Sequence, residues 1–333
     1  LKVRINFKGG IKLKGKSTAA LMKHIRDAHK INISGTKHKN KLLQMGYYHG
    51  YKGYRFHKEK NHLFNFTDFD EIIAIYDFDT ELKKLLLSPV LSLESSVKNL
   101  ILDCLVTNSK ATFEDVFSNQ LTDYRRYTGP KQAKMLKEKL KLQKDIHTSI
   151  HMNYQRNNMV TSKIDSGSPL PIWVIFEIIS LGKLGDFIHH MSVQSRIEIL
   201  RKLNIYSSND TVGSEITQHL LILNEFRNGM AHNHIIFDTR FKNRNIKDAI
   251  KTNIEVLVGT SNIQFESIVD YLTLVILYLK GLKYSKTELK NITIQFRKIV
   301  VRLSERIPTS EFHKILGNDI FSKISDLQRF IST

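Results

Sequence analysis

DFDEIIAIYDFDTELKKLLLSPVLSLESSVKNLILDCLVTN, residues 68–108, carries Ile72, Ile75, Tyr76, Leu82, Leu86 and Leu93 at three- and four-residue spacing. That period places them on one face of a long helix, with a break expected near Ser88 and Pro89. The same period recurs on both sides. It predicts helices over Ser17–His29, Lys37–Met45, Lys131–Asn157, a run from Ser166–Pro171 through Trp173, Ile175, Phe176 and Ile179 to Leu181, Ser192–Asn204, Ser214–His232, Ile246–Val258, Ile263–Lys283 and Ser285–Ile307, with short helices to the end. Strands alternating with helices are not sustained anywhere, and no internal repeat is visible. The expected fold is all-α, a central helical bundle with a basic N-terminal extension and a C-terminal helical region. The expected divisions are 1–62, 63–240 and 241–333.

Composition supports a packed helical globule. The 333 residues are 41% hydrophobic and 25% charged, with only 16 Gly and 5 Pro, which excludes disordered, collagenous and all-β readings. The single cysteine, Cys104, allows no internal disulfide or thiolate cluster and points to a reducing cytoplasm. The opening LKVRINFKGGIKLKGK is too charged for a signal peptide, and because it starts at Leu the true start is open. Ile263–Leu282, the most apolar stretch, is interrupted by Gln264, Glu266, Ser267, Asp270 and Lys280, so it reads as a buried helix and no membrane partner is expected.

A net charge of +19 makes a polyanion the first partner to consider. The excess is concentrated. Residues 1–62 hold 13 Lys and 3 Arg against Asp27 and Glu59, a balance of +14. Within them GYYHGYKGYRFHKEKNH, residues 46–62, interleaves aromatic rings with cations, a composition that can stack bases while neutralising phosphates. The residues expected to bind RNA are therefore Lys12, Lys14, Lys16, Lys37, Lys39, Lys41, Tyr47, Tyr48, Tyr51, Lys52, Tyr54 and Arg55. Packing of the rings onto the next segment is the competing role for any one Tyr. A second basic run, Arg125–Lys144, has eight Lys or Arg and one acid, Glu138, and reads first as a solvated helix face.

One motif is deceptive. Gly10 to Ser17, GIKLKGKS, has the P-loop spelling, but such a loop works within a parallel α/β sheet and the chain that follows is helical. Ser17 or Thr18 is more simply an N-cap. His147 with His151, Glu114–Asp115 and His189–His190 lack a third ligand at a metal-site spacing and read as surface residues, so neither metal nor cofactor is expected.

LLILNEFRNGMAHNHIIF, residues 220–237, ends an apolar helical run with Arg227, Asn228 and His232. Four Arg-x4-to-x6-His pairs occur in the chain, and chance alone supplies some. Arg55–His62 lies in the Tyr-rich loop, Arg306–His313 straddles Pro308, and the other two both begin at Arg227. On a helix Asn228 and His232 share a face, so the amide could orient the imidazole while Arg227 approaches from the side. Gly229 and Ala231 would leave room for a phosphate or a second copy of the helix.

ArgAsnGlyMetAlaHis at 227–232 resembles the signature of HEPN domains. With GlyTyrTyr…TyrArgPhe at 46–56, the acidic-apolar segment at 69–86 and ProIleTrpValIlePheGluIleIleSerLeuGly at 171–182, the order is similar to that of bacterial abortive-infection Abi-like proteins of the AbiD/AbiF type, over roughly residues 20–240. The resemblance implies a HEPN-like helical core, usually a homodimer, with paired Arg and His forming a metal-independent endoribonuclease. HEPN domains also serve as nucleases of type VI CRISPR effectors, and some Abi-like proteins accompany small structured RNAs. Arg227 and His232 carry over as catalytic, with Asn228 in the polar position after Arg, whereas His234 departs from the family pattern. Glu177 falls in the tryptophan-to-glycine motif, where a salt bridge is as natural as a site role. The expected function is an antiviral toxin that cleaves RNA through its 2′-hydroxyl in the cytoplasm, controlled by a small antitoxin or regulatory RNA. The alternatives are a non-catalytic RNA-binding module, an RNA-regulated interaction protein, or a nucleotide-binding or nucleotidyl-transfer partner, since some HEPN domains act in such pairs.

Overall fold

A computed structural model of the chain describes residues 15–106, 111–243 and 245–333. Fifteen α-helices and no strand occur among the described residues, only isolated bridges such as Asn32 with Asp68. In chain order they are α1 (Thr18–His29), α2 (Gly35–Met45), α3 (Phe69–Val106), α4 (Phe113–Asn119), α5 (Gly129–Asn153), α6 (Asn158–Asp165), α7 (Ile172–Ile178), α8 (Leu181–His190), α9 (Val193–Lys202), α10 (Glu215–Ala231), α11 (Asp248–Val258), α12 (Ile268–Gly281), α13 (Lys286–Ser304), α14 (Thr309–Leu316) and α15 (Ile320–Ser332). A π-helical turn, Gly46–Tyr51, extends α2, and a 3-10 turn, Asp123–Arg126, precedes α5.

The long helix α3 is the axis of the molecule. Its 38 residues start at a tight polar cap: Asp68 accepts from the Asp70 N–H through Oδ1 at 2.7 Å, and Glu71 accepts from the Thr67 and Asp68 N–H groups. Phe69, Ile72, Phe78, Leu82, Leu86, Val90, Leu93, Val97 and Ile101 form its buried stripe. No break occurs at Pro89. The ring removes one helical hydrogen bond, but Leu86 and Val90 on either side are fully buried and hold the axis continuous. By length and composition α3 could cross a membrane; here its buried stripe packs against α10, α12 and α13. α12 is buried on nearly every side, as expected for the apolar stretch, although its first turn forms at Ile268 and not at Ile263.

Other boundaries moved for local reasons. The run through Trp173 is two helices, because the backbone is extended at Ile179 and Ser180 then caps α8 by accepting from the Lys183 N–H. Ser17, read from the P-loop-like motif as a cap, accepts from the Ala20 N–H at 3.3 Å; Gly10 to Lys14 of that motif lie outside the described residues. His190 is buried and not a surface residue, and burial pushes its pKa down to about 4.

One apolar core runs from Met22 in α1 to Ile331 in α15. Residues on either side of position 62 share it: Tyr54 donates to Asp79 of α3, and the Lys58 N–H donates to Asp238. Position 240 is equally embedded, since the Arg240 guanidinium donates to the Gly53 and Phe56 carbonyls.

Candidate active site

The end of α10 builds the site. The Asp210 carboxylate accepts from the Ser214 and Glu215 N–H groups and so starts the helix. Ile216, Leu220, Leu223, Phe226 and Met230 bury its apolar face. The helix stops at Ala231. His232 is the C-cap, Asn233 adopts a left-handed conformation (φ 53°), and the His234 N–H closes the end by donating to the Gly229 carbonyl at 2.8 Å. The open space expected over Gly229 is absent. A Cβ there would lie 3.3 Å from the Phe241 ring, so this glycine lets the following loop fold back onto the helix.

That loop is fastened by one buried carboxylate. Asp79 of α3 accepts from the Ile236 N–H (2.7 Å), the Phe237 N–H (2.8 Å) and the Tyr54 hydroxyl (2.7 Å), and pairs with Lys83 one helical turn on (2.7 Å). Burial, then the Asp79 charge, pushes the Tyr54 phenol far above its ordinary pKa. Lys83 also donates to the Asn233 side chain at 2.9 Å. The segment 232–234 is thereby pinned over α3, facing a cleft of about 600 Å3 that Gln44, His49, Lys83, His232 and His234 help to line. His232 and His234 are exposed, with ring centroids 5.9 Å apart and planes inclined by 37°. The His232 imidazole has no hydrogen-bond partner among the described residues.

Arg227 does not line this cleft. Its guanidinium lies along α3: Nε donates to Glu94 Oε2 at 3.2 Å, and Lys98 pairs with the other Glu94 oxygen at 3.1 Å. Asn228 accepts from Arg227 at 3.1 Å and donates to Asn224. The expectation that Asn228 orients His232 is thus corrected: its amide is turned to Arg227, and His232 has left the regular helix. The Arg227 and Asn228 side chains are hydrogen-bonded to each other, and neither makes a hydrogen bond to the His232 ring, whose backbone N–H donates to the Asn228 carbonyl. Glu177 is exposed.

The expected RNA-binding set also divides. Lys12 and Lys14 lie outside the described residues. Lys16, Tyr47, Tyr48 and Lys52 share a hollow with Leu21 and His24, in which the Lys52 ammonium sits over both tyrosine rings. Tyr48 is 75% exposed. Lys37 and Lys39 are exposed, Lys37 near Asp70, whereas Lys41 is half-buried between Asp77 and the Tyr76 ring. Tyr51 and Tyr54 are corrected as stacking platforms. They are 0% and 4% exposed; Tyr51 stacks on His29 and Tyr47 and takes Arg55 over its face, and Tyr54 stacks on Phe237. Their spacing carried the signal, since 47, 51 and 54 recur as one helical stripe and Tyr48 falls outside it.

Asp79, Lys83 and His49 escaped the sequence reading, and His234 was noted there only as a departure from the family pattern. Asp79 had a signal: four residues after Ile75 and three before Leu82, it occupies the buried stripe, where a carboxylate has to be partnered. The one cluster of candidate metal ligands among the described residues is His38, Asp68 and Asp70. Its atoms already serve the start of α3. His38 accepts from the Ser34 N–H and contacts Asp70, and Asp68 accepts from Asn32 and the Asp70 N–H.

Fold and site define a class: an all-α protein whose exposed histidines close a buried helix and face a polar cleft. The family model described as Abi-like protein matches residues 40–238, and the chain belongs to that family, whose name is that of abortive infection, a defence against phage. The match runs from α2 to Asp238, so it includes Asp79, Arg227 and the three cleft histidines. No curated protein and no solved structure matches the chain.

Proposed function

We propose that this Abi-like protein is the toxin of a phage-defence response, acting in the cytoplasm as a metal-independent endoribonuclease of the HEPN type under the control of a small structured RNA. The observation that carries the reading is His232: an exposed, unpartnered imidazole at the end of α10, facing a cleft that also holds the Lys83 ammonium. The RNA supplies its own nucleophile. His232 takes the proton from a 2′-hydroxyl as the oxygen attacks the adjacent phosphorus, and a cation stabilises the charge gathering on the non-bridging oxygens. An imidazole suits the task because its ordinary pKa, about 6.5, keeps both protonation states available near neutral pH.

Arg227 belongs to this reading through a second copy of the chain. It does not line its own cleft, is part-exposed and is paired with Glu94, and a homodimer would allow one copy's Arg227 to serve the other's His232. A second reading, RNA binding without cleavage, draws on the same separation of Arg227 from His232.

The deciding experiment incubates labelled RNA with the wild-type protein, Arg227→Ala and His232→Ala in EDTA. Cleavage by the wild type alone, leaving a 2′,3′-cyclic phosphate and a 5′-hydroxyl, is expected, and mixing the two inactive variants should restore part of it. RNA bound but left intact by the wild type would favour the second reading. Strict magnesium dependence or a 5′-phosphate product would overturn the mechanism.

A further inference from the structure

Cleavage through a 2′-hydroxyl needs two proton carriers. One accepts the proton of the attacking oxygen; the other donates to the 5′-oxygen as the P–O5′ bond breaks. The positions of the second candidate imidazole in the cleft are restricted. Reacting atoms approach to about 3–3.5 Å, and a proton carrier works at about 2.6–3.2 Å from its target. Two carriers serving opposite sides of one phosphorus are therefore separated by a few ångströms, which is the scale of the His232–His234 ring separation of 5.9 Å.

We propose, resting on the endoribonuclease reading, that His234 of the same chain is the second proton carrier, so that one cleft holds the complete acid–base pair. The pair is rigidly presented. His234 is fixed at its backbone by the bond to Gly229, Asn233 between the two histidines is held by Lys83, and the Ile236 and Phe237 N–H groups that follow are locked to Asp79. No hydrogen bond to another described side chain occupies either imidazole. In the step itself His232 takes the proton of the 2′-hydroxyl, the O2′–P bond forms, the P–O5′ bond breaks, and protonated His234 gives its proton to the departing 5′-oxygen. The products are a 2′,3′-cyclic phosphate and a 5′-hydroxyl, with His232 left protonated and His234 neutral. Exchange with water returns both imidazoles to their starting states. Arg227 does not enter this assignment.

The test compares an ordinary RNA with one whose scissile 5′-oxygen is replaced by sulfur, a leaving group that departs as thiolate without a proton. His234→Ala and His234→Gln should lose about 10²–10⁴-fold on the ordinary RNA and cleave the 5′-thio substrate at close to the wild-type rate. His232→Ala should lose both. The glutamine variant guards against a packing defect, and circular dichroism checks the fold of each. Wild-type cleavage with His234 variants that match it on ordinary RNA, or that lose both substrates equally, would overturn the assignment while leaving the endoribonuclease reading intact. A wild type that cleaves neither RNA in EDTA would overturn both.

Discussion

Asp79 is the residue on which the cleft depends. Its side chain is fully buried, and four donors from three segments converge on it: Tyr54, Lys83, and the N–H groups of Ile236 and Phe237. Removing one partner of a buried ion pair costs about 3–5 kcal/mol, because the other charge and its donors stay buried and unmatched. Asp79→Ala should therefore lower stability by about that amount in urea unfolding, while Tyr54→Phe, which removes one donor and leaves the carboxylate three, should cost about 1–2 kcal/mol. Equal midpoints for wild type and Asp79→Ala would refute this account. The residue scale is also where the sequence was least legible. Arg227, Asn228 and His232 stood out as a motif, yet their roles depend on which way each side chain leaves the helix, and His232 leaves it at the first residue beyond its last turn. Asp79 and Lys83 could be placed on one face of α3 from their spacing, but their partner, the loop after α10, lies some 157 positions along the chain.

At the scale of elements most of the fold was legible, because helix period and capping are local. The apolar stripe of α3, the Ser17 cap and the extents of α9, α10 and α13 all follow from neighbours within a turn or two. The exceptions need distant partners. Pro89 signalled a break by every local rule, and burial of Leu86 and Val90 overrides it. The penalty is still present, about 3 kcal/mol for proline in a helix interior relative to alanine, offset by the roughly 0.4–1 kcal/mol that proline saves in the unfolded chain. Pro89→Ala should accordingly stabilise the protein by about 2 kcal/mol, raising its urea midpoint with an unchanged slope. A lower midpoint would mean that the ring itself fills space the core requires. Tyr51 and Tyr54 illustrate the converse: their stripe was visible at helical spacing, but the composition of the segment drew attention to its charge.

For the whole molecule, acid is the weak side. His29, His57, His190 and His219 are each pushed down to about 4, first by burial, and for His29 and His57 also by nearby cations. Their folded-state pKa values lie below the unfolded value of about 6.5, so the unfolded chain binds more protons; the stability they contribute is complete above pH 6.5 and is lost as pH falls towards 4. Glu215, pushed up to about 7 by burial and by Asp210, works in the opposite sense, since its folded state prefers the proton. His189 is pushed down by burial as well, and Asp270, like Glu215, is pushed up; the five histidines outnumber the two carboxyls, so the melting temperature should fall between pH 6.5 and 4, and a flat profile across that window would refute the burial of these imidazoles. The surface charge is open to a separate measurement. Lys16, Lys39 and Lys52 are exposed, so replacing each by Gln should lower the log-log salt slope of RNA binding by about 0.7–0.9 for every phosphate no longer neutralised, whereas Lys41→Gln should act mainly on stability through Asp77 and Tyr76. An unchanged slope would make this face solvated surface only. The continuity of the core has a consequence for synthesis. Phe241, which lines the cleft, rests on Tyr271 of α12 at 5.0 Å, thirty residues later in the chain. At about 5–20 residues per second a ribosome needs roughly 2–7 s to supply that support after the histidines have been made. A nascent chain bearing every residue of the motif thus still lacks the Tyr271 ring that backs Phe241 at the cleft wall, so under the proposed activity the site should reach its full support only once α12 has been made.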